Sequence, residues 1–177
     1  MLILESKDSG HDVADFRVAA IAVSDTLRFE RDARRPDGTI VKVGFSLAFA
    51  KDRAAPEIHF ATCQQHFPEN FWNPAFQSHA NSVVGIAAVV IVADDPAAHR
   101  DMLLAFTGAE HVREEGTGYS IALPRGALEI MTGTEFVRRY GIPAPETGGG
   151  ARLAGLRFAT ANVAAARALF GAAGIST

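Results

Sequence analysis

The chain has 177 residues, of which 48% are hydrophobic, so it can bury a substantial core in one domain or in two small units. Its net charge of -3 and its pI of about 6.1 give no indication of the basic surface that binds nucleic acid. A single cysteine excludes an internal disulfide bond, and no apolar run is long enough to cross a bilayer. We therefore expect a cytosolic protein that binds neither nucleic acid nor a membrane.

The first 66 residues predict one strand, one helix and then three strands. A short strand at residues 2–4 is followed by a helix that starts near Ser9. Another strand lies at residues 27–30. After a Pro-Asp-Gly turn, strict alternation of apolar residues predicts a strand at residues 41–49. The last strand of this part is predicted at residues 58–64.

Residues 62–81 form a junction of unusual composition. They contain the only cysteine, the only tryptophan and two of the six histidines of the chain. Pro68 and Pro74 interrupt a series of aromatic residues. Segments that mix large rings with amides pack their rings on neighbouring elements and leave their polar ends in solvent. We interpret the junction as a connector between two similar halves.

The same order of elements begins again after the junction. An apolar strand at residues 86–92 precedes Asp95, which predicts a helix N-cap, and Gly108 predicts the end of that helix. Three further strands are predicted at residues 111–114, 119–123 and 127–131. A short helix at residues 134–140 closes this part.

The strand-and-helix pattern starts a third time after a linker that is rich in proline and glycine. It comprises a strand at residues 153–160 and a helix with Asn162 as its N-cap. An internal repeat is thus the main organisational signal of the sequence. We divide the chain into a first unit (1–66), a junction (67–84), a second unit (85–141), a linker (142–150) and the start of a third unit (151–177).

The repeat and the junction together resemble a known superfamily. Residues 60–72, residues 77–81 and the strand at 85–92 are similar to the junction segment of the glyoxalase-like branch of the vicinal oxygen chelate superfamily. That superfamily contains glyoxalase I, extradiol dioxygenases and bleomycin-resistance binding proteins. The resemblance implies an α+β fold of repeated βαβββ modules, whose curled mixed sheets surround a cavity. Such chains are usually longer, and this sequence resembles their middle and later part, with an incomplete third module.

The resemblance also implies a divalent metal, zinc, iron, manganese or nickel, held by histidines of first strands and glutamates of last strands. Glu129 stands at the glutamate position of the second unit, and His59 stands at the same place in the first. The sequence departs from the pattern at Ala88, where a ligand histidine is expected. The alternatives are a salt-bridged strand glutamate and a histidine that is hydrogen-bonded within its sheet.

Three more residues are candidates for lining the cavity. Cys63 shares a strand face with His59, although most cysteines of this kind are small buried hydrophobic residues. His66 and Tyr119 complete the cavity candidates, and Arg125 is a weaker one.

The remaining histidines have less specific signals. His66 and His79 with Glu69 form a second candidate set, as metal ligands or as a general base, but their spacing matches no zinc signature. The other three histidines are expected at the surface: His11, His99 and His111.

Two functions are consistent with these observations. The first is a metal-assisted lyase, isomerase or dioxygenase reaction on a substrate with vicinal oxygens, as the resemblance implies. The second is binding of a small planar or amphipathic molecule without chemistry, which the departure at Ala88 favours. Because the third unit leaves a sheet edge and an apolar helix face, we also expect a homodimer.

Overall fold

A computed structural model describes residues 1–72 and 74–174. The fold is α+β, with two mixed five-stranded sheets, which we name sheet A and sheet B. The last three residues of the predicted third unit, 175–177, lie outside the described residues.

Sheet A is formed by the first part of the chain and has one more strand than the sequence predicts, a two-residue strand between the helix and the next strand. Its elements are β1 (Leu2–Ser6), α1 (Ser9–Val18), β2 (Ala22–Val23), β3 (Leu27–Arg34), β4 (Ile40–Lys51) and β5 (Phe60–Gln65). Strand β1 is parallel to β5, β5 is antiparallel to β4, and both β2 and β3 pair with β4. The first strand of this part therefore lies beside its last strand.

Strand β5 begins later than the alternation of apolar residues indicates. The segment before it forms local turns, in which the N–H of Ala54 donates to the Asp52 side chain and the N–H of Ile58 donates to the carbonyl of Ala55. These turn hydrogen bonds take up the backbone groups that a strand would use. As a result, His59 precedes β5 instead of lying within it.

Sheet B contains the later strands, and it has the same relation between first and last strand. The junction helix α2 and the elements of this part are α2 (Pro68–Phe71), β6 (Val83–Ala93), α3 (Arg100–Thr107), β7 (Arg113–Glu115), β8 (Gly118–Ala122), β9 (Ala127–Met131), α4 (Gly133–Tyr140), β10 (Ala151–Thr160) and α5 (Val163–Ala172). The strand order is β10-β6-β9-β8-β7, with β6 parallel to β9. Strand β10 lies antiparallel to β6 and forms the edge.

The predicted helix ends agree largely with the structure. The side chain of Asp95 accepts a hydrogen bond from the N–H of Ala97 and caps a 3-10 turn that leads into α3. Gly108 ends α3 in the left-handed conformation. The N-cap of α1 is Asp8, not Ser9, because the Asp8 carboxylate accepts hydrogen bonds from two N–H groups of the first turn.

A shared hydrophobic core joins the two sheets. The ring of Phe106 in α3 lies 5.7 Å from that of Phe16 in α1 and 5.3 Å from that of Phe60 in β5. Leu128 and Ile130 of β9 belong to the same core. We call this side of sheet B its core face.

The opposite side of sheet B carries a second, smaller core. There Val90, Val92 and Met131 pack against Phe136 of α4, with Tyr140 beside them. We call this side the α4 face. Because side chains of a strand alternate between two faces, Glu129 lies on the α4 face between the two core residues of β9.

The junction packs its rings on sheet A, as its composition predicts. Pro68 opens α2, and the ring of Phe71 meets that of Phe45 in β4 edge to face at 5.6 Å. The guanidinium of Arg125 lies 5.3 Å from the Trp72 ring. Among the described residues, no helix has the length and apolar character needed to cross a membrane.

Candidate functional site

Glu129 is the buried charged residue at the centre of the α4 face. It occupies the middle of β9 and is 5% exposed. Its register partners are Val90 of β6 and Ser120 of β8. A carboxylate at this depth needs several donors to offset its lost hydration.

Three side chains supply those donors. Arg157 of β10 donates from Nη1 to Glu129 Oε1. Arg139 places Nη1 3.4 Å from Oε2, and the Tyr140 hydroxyl donates to the same oxygen at 3.3 Å. We call these four residues, Glu129, Arg139, Tyr140 and Arg157, the Glu129 cluster. Both carboxylate oxygens are therefore engaged by protein donors.

A second carboxylate lies beside the Glu129 cluster. Glu115 of β7 accepts from the hydroxyl of Ser120 at 3.1 Å and pairs with Arg113 at 3.0 Å. Arg139 also approaches Glu115, with Nη1 3.5 Å from Oε2. The Arg139 guanidinium is thus shared between two carboxylates.

The local sequence explains how these residues come together. Thr132 caps α4 directly after β9, so the last turn of this two-turn helix brings Arg139 and Tyr140 back to Glu129. Strand β10 delivers Arg157 opposite Ala88 of β6. Ala88 adds only a methyl group to the face, which leaves room for the long arginine side chain over β6.

The environment of the Glu129 cluster keeps the Tyr140 hydroxyl protonated. Burial raises the pKa of the Tyr140 phenol, and the nearby negative charge of Glu129 raises it further. Tyr140 therefore stays a neutral hydrogen-bond donor across the physiological range. The Arg139 guanidinium also lies 5.7 Å from the Tyr140 ring.

His59, the other predicted metal ligand, lies in a different part of the molecule. It is exposed just before β5 of sheet A, and its carbonyl accepts the N–H of Leu2 at 2.8 Å. Glu129 belongs to sheet B. The structure places the two predicted ligands on separate sheets.

Cys63 lies in β5, and His66 directly follows the end of that strand. Cys63 is half-buried opposite Glu5 and Leu47, and burial raises the pKa of its thiol. The Nε2 atom of His66 lies 2.7 Å from the Ser46 hydroxyl. His66 is thus hydrogen-bonded to a neighbouring strand. For His59, a hydrogen-bonded histidine of this kind was the alternative to a metal ligand. His79 and Glu69 are both exposed.

Tyr119 lies in the shared core, where it is almost fully buried. Burial raises the pKa of its phenol, and the Arg100 guanidinium lies 5.0 Å from its ring. A cavity of about 580 Å³ is present elsewhere, between the end of α1, the end of β4 and the start of α3. Its lining includes Arg17, Lys51 and Met102 but none of the five predicted cavity residues.

The prediction that His99 lies at the surface is wrong. His99 is 3% exposed, and its Nδ1 lies 2.7 Å from Oδ2 of Asp52, whose side chain is 8% exposed. The 3-10 turn that begins at Pro96 directs His99 inward, towards the loop after β4. His11 and His111 are exposed, as expected.

The donors around Glu129 do not fit the metal role that the resemblance implies. A divalent cation would compete with the guanidinium of Arg157 for the same carboxylate oxygens. Within residues 1–72 and 74–174, no three His, Cys, Asp or Glu side chains form a group that could hold a metal ion. The metal therefore stays a prediction that metal analysis of the protein can test.

The sequence interpretation missed Arg157, Arg139 and Tyr140. A signal for Arg157 was available, because it is the one charged residue within the otherwise apolar run of residues 153–160. Arg139 and Tyr140 end the helix that follows the Glu129 strand. Their convergence depends on the pairing of β10 with β6, which no local pattern reveals.

Comparison with known proteins identifies the fold but not a family. No family model matches the chain, and no curated protein is significantly similar to it. Among solved structures, a hypothetical protein from Staphylococcus aureus is similar, with a TM-score of 0.55 and 15% sequence identity. The similarity covers 74% of this chain and 52% of that chain, so this chain spans about half the length of that structure.

Proposed function

We propose that the chain is a cytosolic, glyoxalase-like protein of the vicinal oxygen chelate type that binds a small molecule on the α4 face of sheet B. The relation of first and last strands supports a repeated βαβββ unit, because β1 is parallel to β5 and β6 is parallel to β9. Strand β10 and α5 then represent the start of a third unit.

The observation that carries this proposal is the buried Glu129 with its converging donors. Small-molecule sites combine an apolar surface with a few fixed polar groups. Here the Glu129 cluster supplies the polar groups, and Val90, Val92 and Met131, buried beneath α4, hold these groups in a fixed position on an apolar base. Arg157 is 45% exposed, so the polar centre is accessible to a ligand.

A titration with catechol, a planar molecule with two vicinal oxygens, tests the proposal. We expect amide chemical-shift changes by NMR that are centred on β9, on the end of α4 and on β10. Glu129→Gln removes the charge that orders the donors, so binding should weaken by about tenfold or more. Glu110→Gln, at an exposed glutamate paired only with His111, is the matched control and should bind normally. Shift changes confined to sheet A would contradict the proposal.

The metal-assisted lyase, isomerase or dioxygenase is the second candidate function, because Glu129 is buried at the strand position that the resemblance assigns to a ligand. Metal analysis separates the two candidates. If protein reconstituted with Mn, Fe, Ni or Zn retains near-stoichiometric metal, and Glu129→Ala loses it, the enzyme is supported and metal-free binding fails. We expect neither the wild type nor the variant to retain metal at that level.

A further inference from the structure

We infer that Arg157 and Arg139 bind an organic carboxylate with an oxygen on the adjacent carbon directly, in the position for which the resemblance implies a metal. The inference rests on the proposed function, because it requires the α4 face of sheet B to be the binding surface. It adds the ligand's chemical class and the groups that recognise it.

Arg157 has unused hydrogen-bonding capacity in a fixed position. Only its Nη1 donates to Glu129, and close to half of its side chain is exposed. A guanidinium carries five N–H donors in a planar fork, which matches the two oxygens of a carboxylate. The hydrogen bond to the nearly buried Glu129 fixes the orientation of the Arg157 guanidinium before a ligand binds.

Arg139 is held less tightly than Arg157. Its Nη1 lies 3.4 Å from Glu129 and 3.5 Å from Glu115, both longer than the roughly 2.7–2.9 Å of strong charge-assisted hydrogen bonds. A stronger acceptor can therefore draw this guanidinium away at little cost. In oxalate, the second carboxylate provides that acceptor, because it carries a full charge and can approach to the shorter distance.

The charges of the region favour an anion over a neutral ligand. Three guanidiniums, of Arg113, Arg139 and Arg157, face two carboxylates, of Glu115 and Glu129. One positive charge is thus left over, and it belongs to Arg139, which shares both carboxylates with closer partners. Oxalate, 2-oxo acids and 2-hydroxy acids share the required chemistry.

Isothermal titration of the protein with oxalate in the presence of EDTA tests this inference. We expect binding by the wild type, and binding about tenfold weaker or more in Arg157→Ala. Arg157→Lys keeps the charge but loses the fork, so it should also bind weakly. Arg152→Ala is the matched control, because Arg152 lies on the same strand with 44% exposure and pairs with Glu57 at 3.5 Å.

Circular dichroism of each variant confirms folding before titration. If Arg157→Ala does not fold, Arg157→Lys alone tests the inference. Oxalate binding that is unchanged in both Arg157 variants would overturn the inference. So would binding that requires added metal and disappears in EDTA. If catechol binds the α4 face but oxalate does not bind at all, the proposed function stands and the arginine-based recognition fails.

Discussion

At the scale of single residues, the pair of Asp52 and His99 is the most deeply buried ionic contact between the two halves of the molecule. Asp52 follows β4 of sheet A, and His99 precedes α3 over sheet B. Their side chains are 8% and 3% exposed. Removing one partner would leave the other buried without a counter-charge, which is costly.

We predict that Asp52→Asn lowers the free energy of unfolding at pH 7 by about 2 kcal/mol, because the hydrogen bond between His99 and a charged carboxylate is weakened. It should also reduce the dependence of stability on acid pH. Burial alone would raise the pKa of Asp52, but hydrogen bonds from His99 and from the N–H of Ala54 outweigh it and lower the pKa. A lowered pKa stabilises the fold above the unfolded-state pKa of about 3.9, and this contribution is lost as the pH falls through the folded-state value.

Urea denaturation between pH 3 and pH 7 measures both effects. Asp25→Asn is the control, because Asp25 forms only an exposed pair with Arg17, and it should behave like the wild type. An acid profile of Asp52→Asn that matches the wild type would contradict the assigned role.

At the scale of elements, α4 connects the fold to the candidate site. It starts at Thr132, immediately after β9, and ends with Arg139 and Tyr140. Its inner side is anchored by Phe136. The stability of this short helix therefore sets the position of two members of the Glu129 cluster.

We predict that Thr132→Ala destabilises the protein by about 1 kcal/mol. The Thr132 hydroxyl accepts the N–H of Glu135 at 3.3 Å and contacts the Thr117 hydroxyl at 2.7 Å, and both contacts are lost. Chemical denaturation measures the change. Thr134→Ala, in the exposed first turn of α4, should leave stability unchanged or slightly higher, since alanine is the better helix former. Equal losses in both variants would argue against the cap.

At the scale of the whole molecule, the two sheets are united by the shared core and by contacts across its rim. Arg125, in the turn between β8 and β9, pairs with Glu5 of β1 and lies over Trp72 of the junction. Strand β1 is at the end of sheet A, with β5 as its neighbour. Its outer edge is unpaired in the part of the chain that the structure describes.

The homodimer was predicted from the third unit, so it is testable at β10, the edge strand that this unit adds to sheet B. We expect light scattering after gel filtration to give about twice the chain mass of 18.8 kDa. Leu156 is an exposed apolar residue of β10, so Leu156→Lys should shift the protein towards the monomer, because a charge on an edge strand opposes pairing. Val18→Lys, at the exposed end of α1, is the control. A monomeric wild type at all concentrations would contradict the prediction.

Local patterns were sufficient for most elements of the fold. The caps at Asp95 and Asn162 and the stops at Gly108 and Gly141 are confirmed, because each depends on a hydrogen bond or a backbone torsion within one turn. Strand β5 starts later than predicted. The alternation of apolar residues gives no sign of the turn hydrogen bonds near Ile58, which compete with strand pairing. The segment boundaries and the relation to the superfamily stay predictions.

The sequence by itself determined the α+β class, the order of the strands and helices apart from β2 and α2, and the position of Glu129 off the apolar face of its strand. Only the tertiary structure decided what Glu129 contacts. Arg157 is 28 residues away along the chain, and it arrives through the antiparallel pairing of β10 with β6. The physical reason is that periodicity within one strand fixes the face of a side chain, whereas its partners depend on which strands become neighbours. The tertiary structure thus shows Glu129 as the salt-bridged strand glutamate that the sequence left open as an alternative, and a metal at this position stays a prediction.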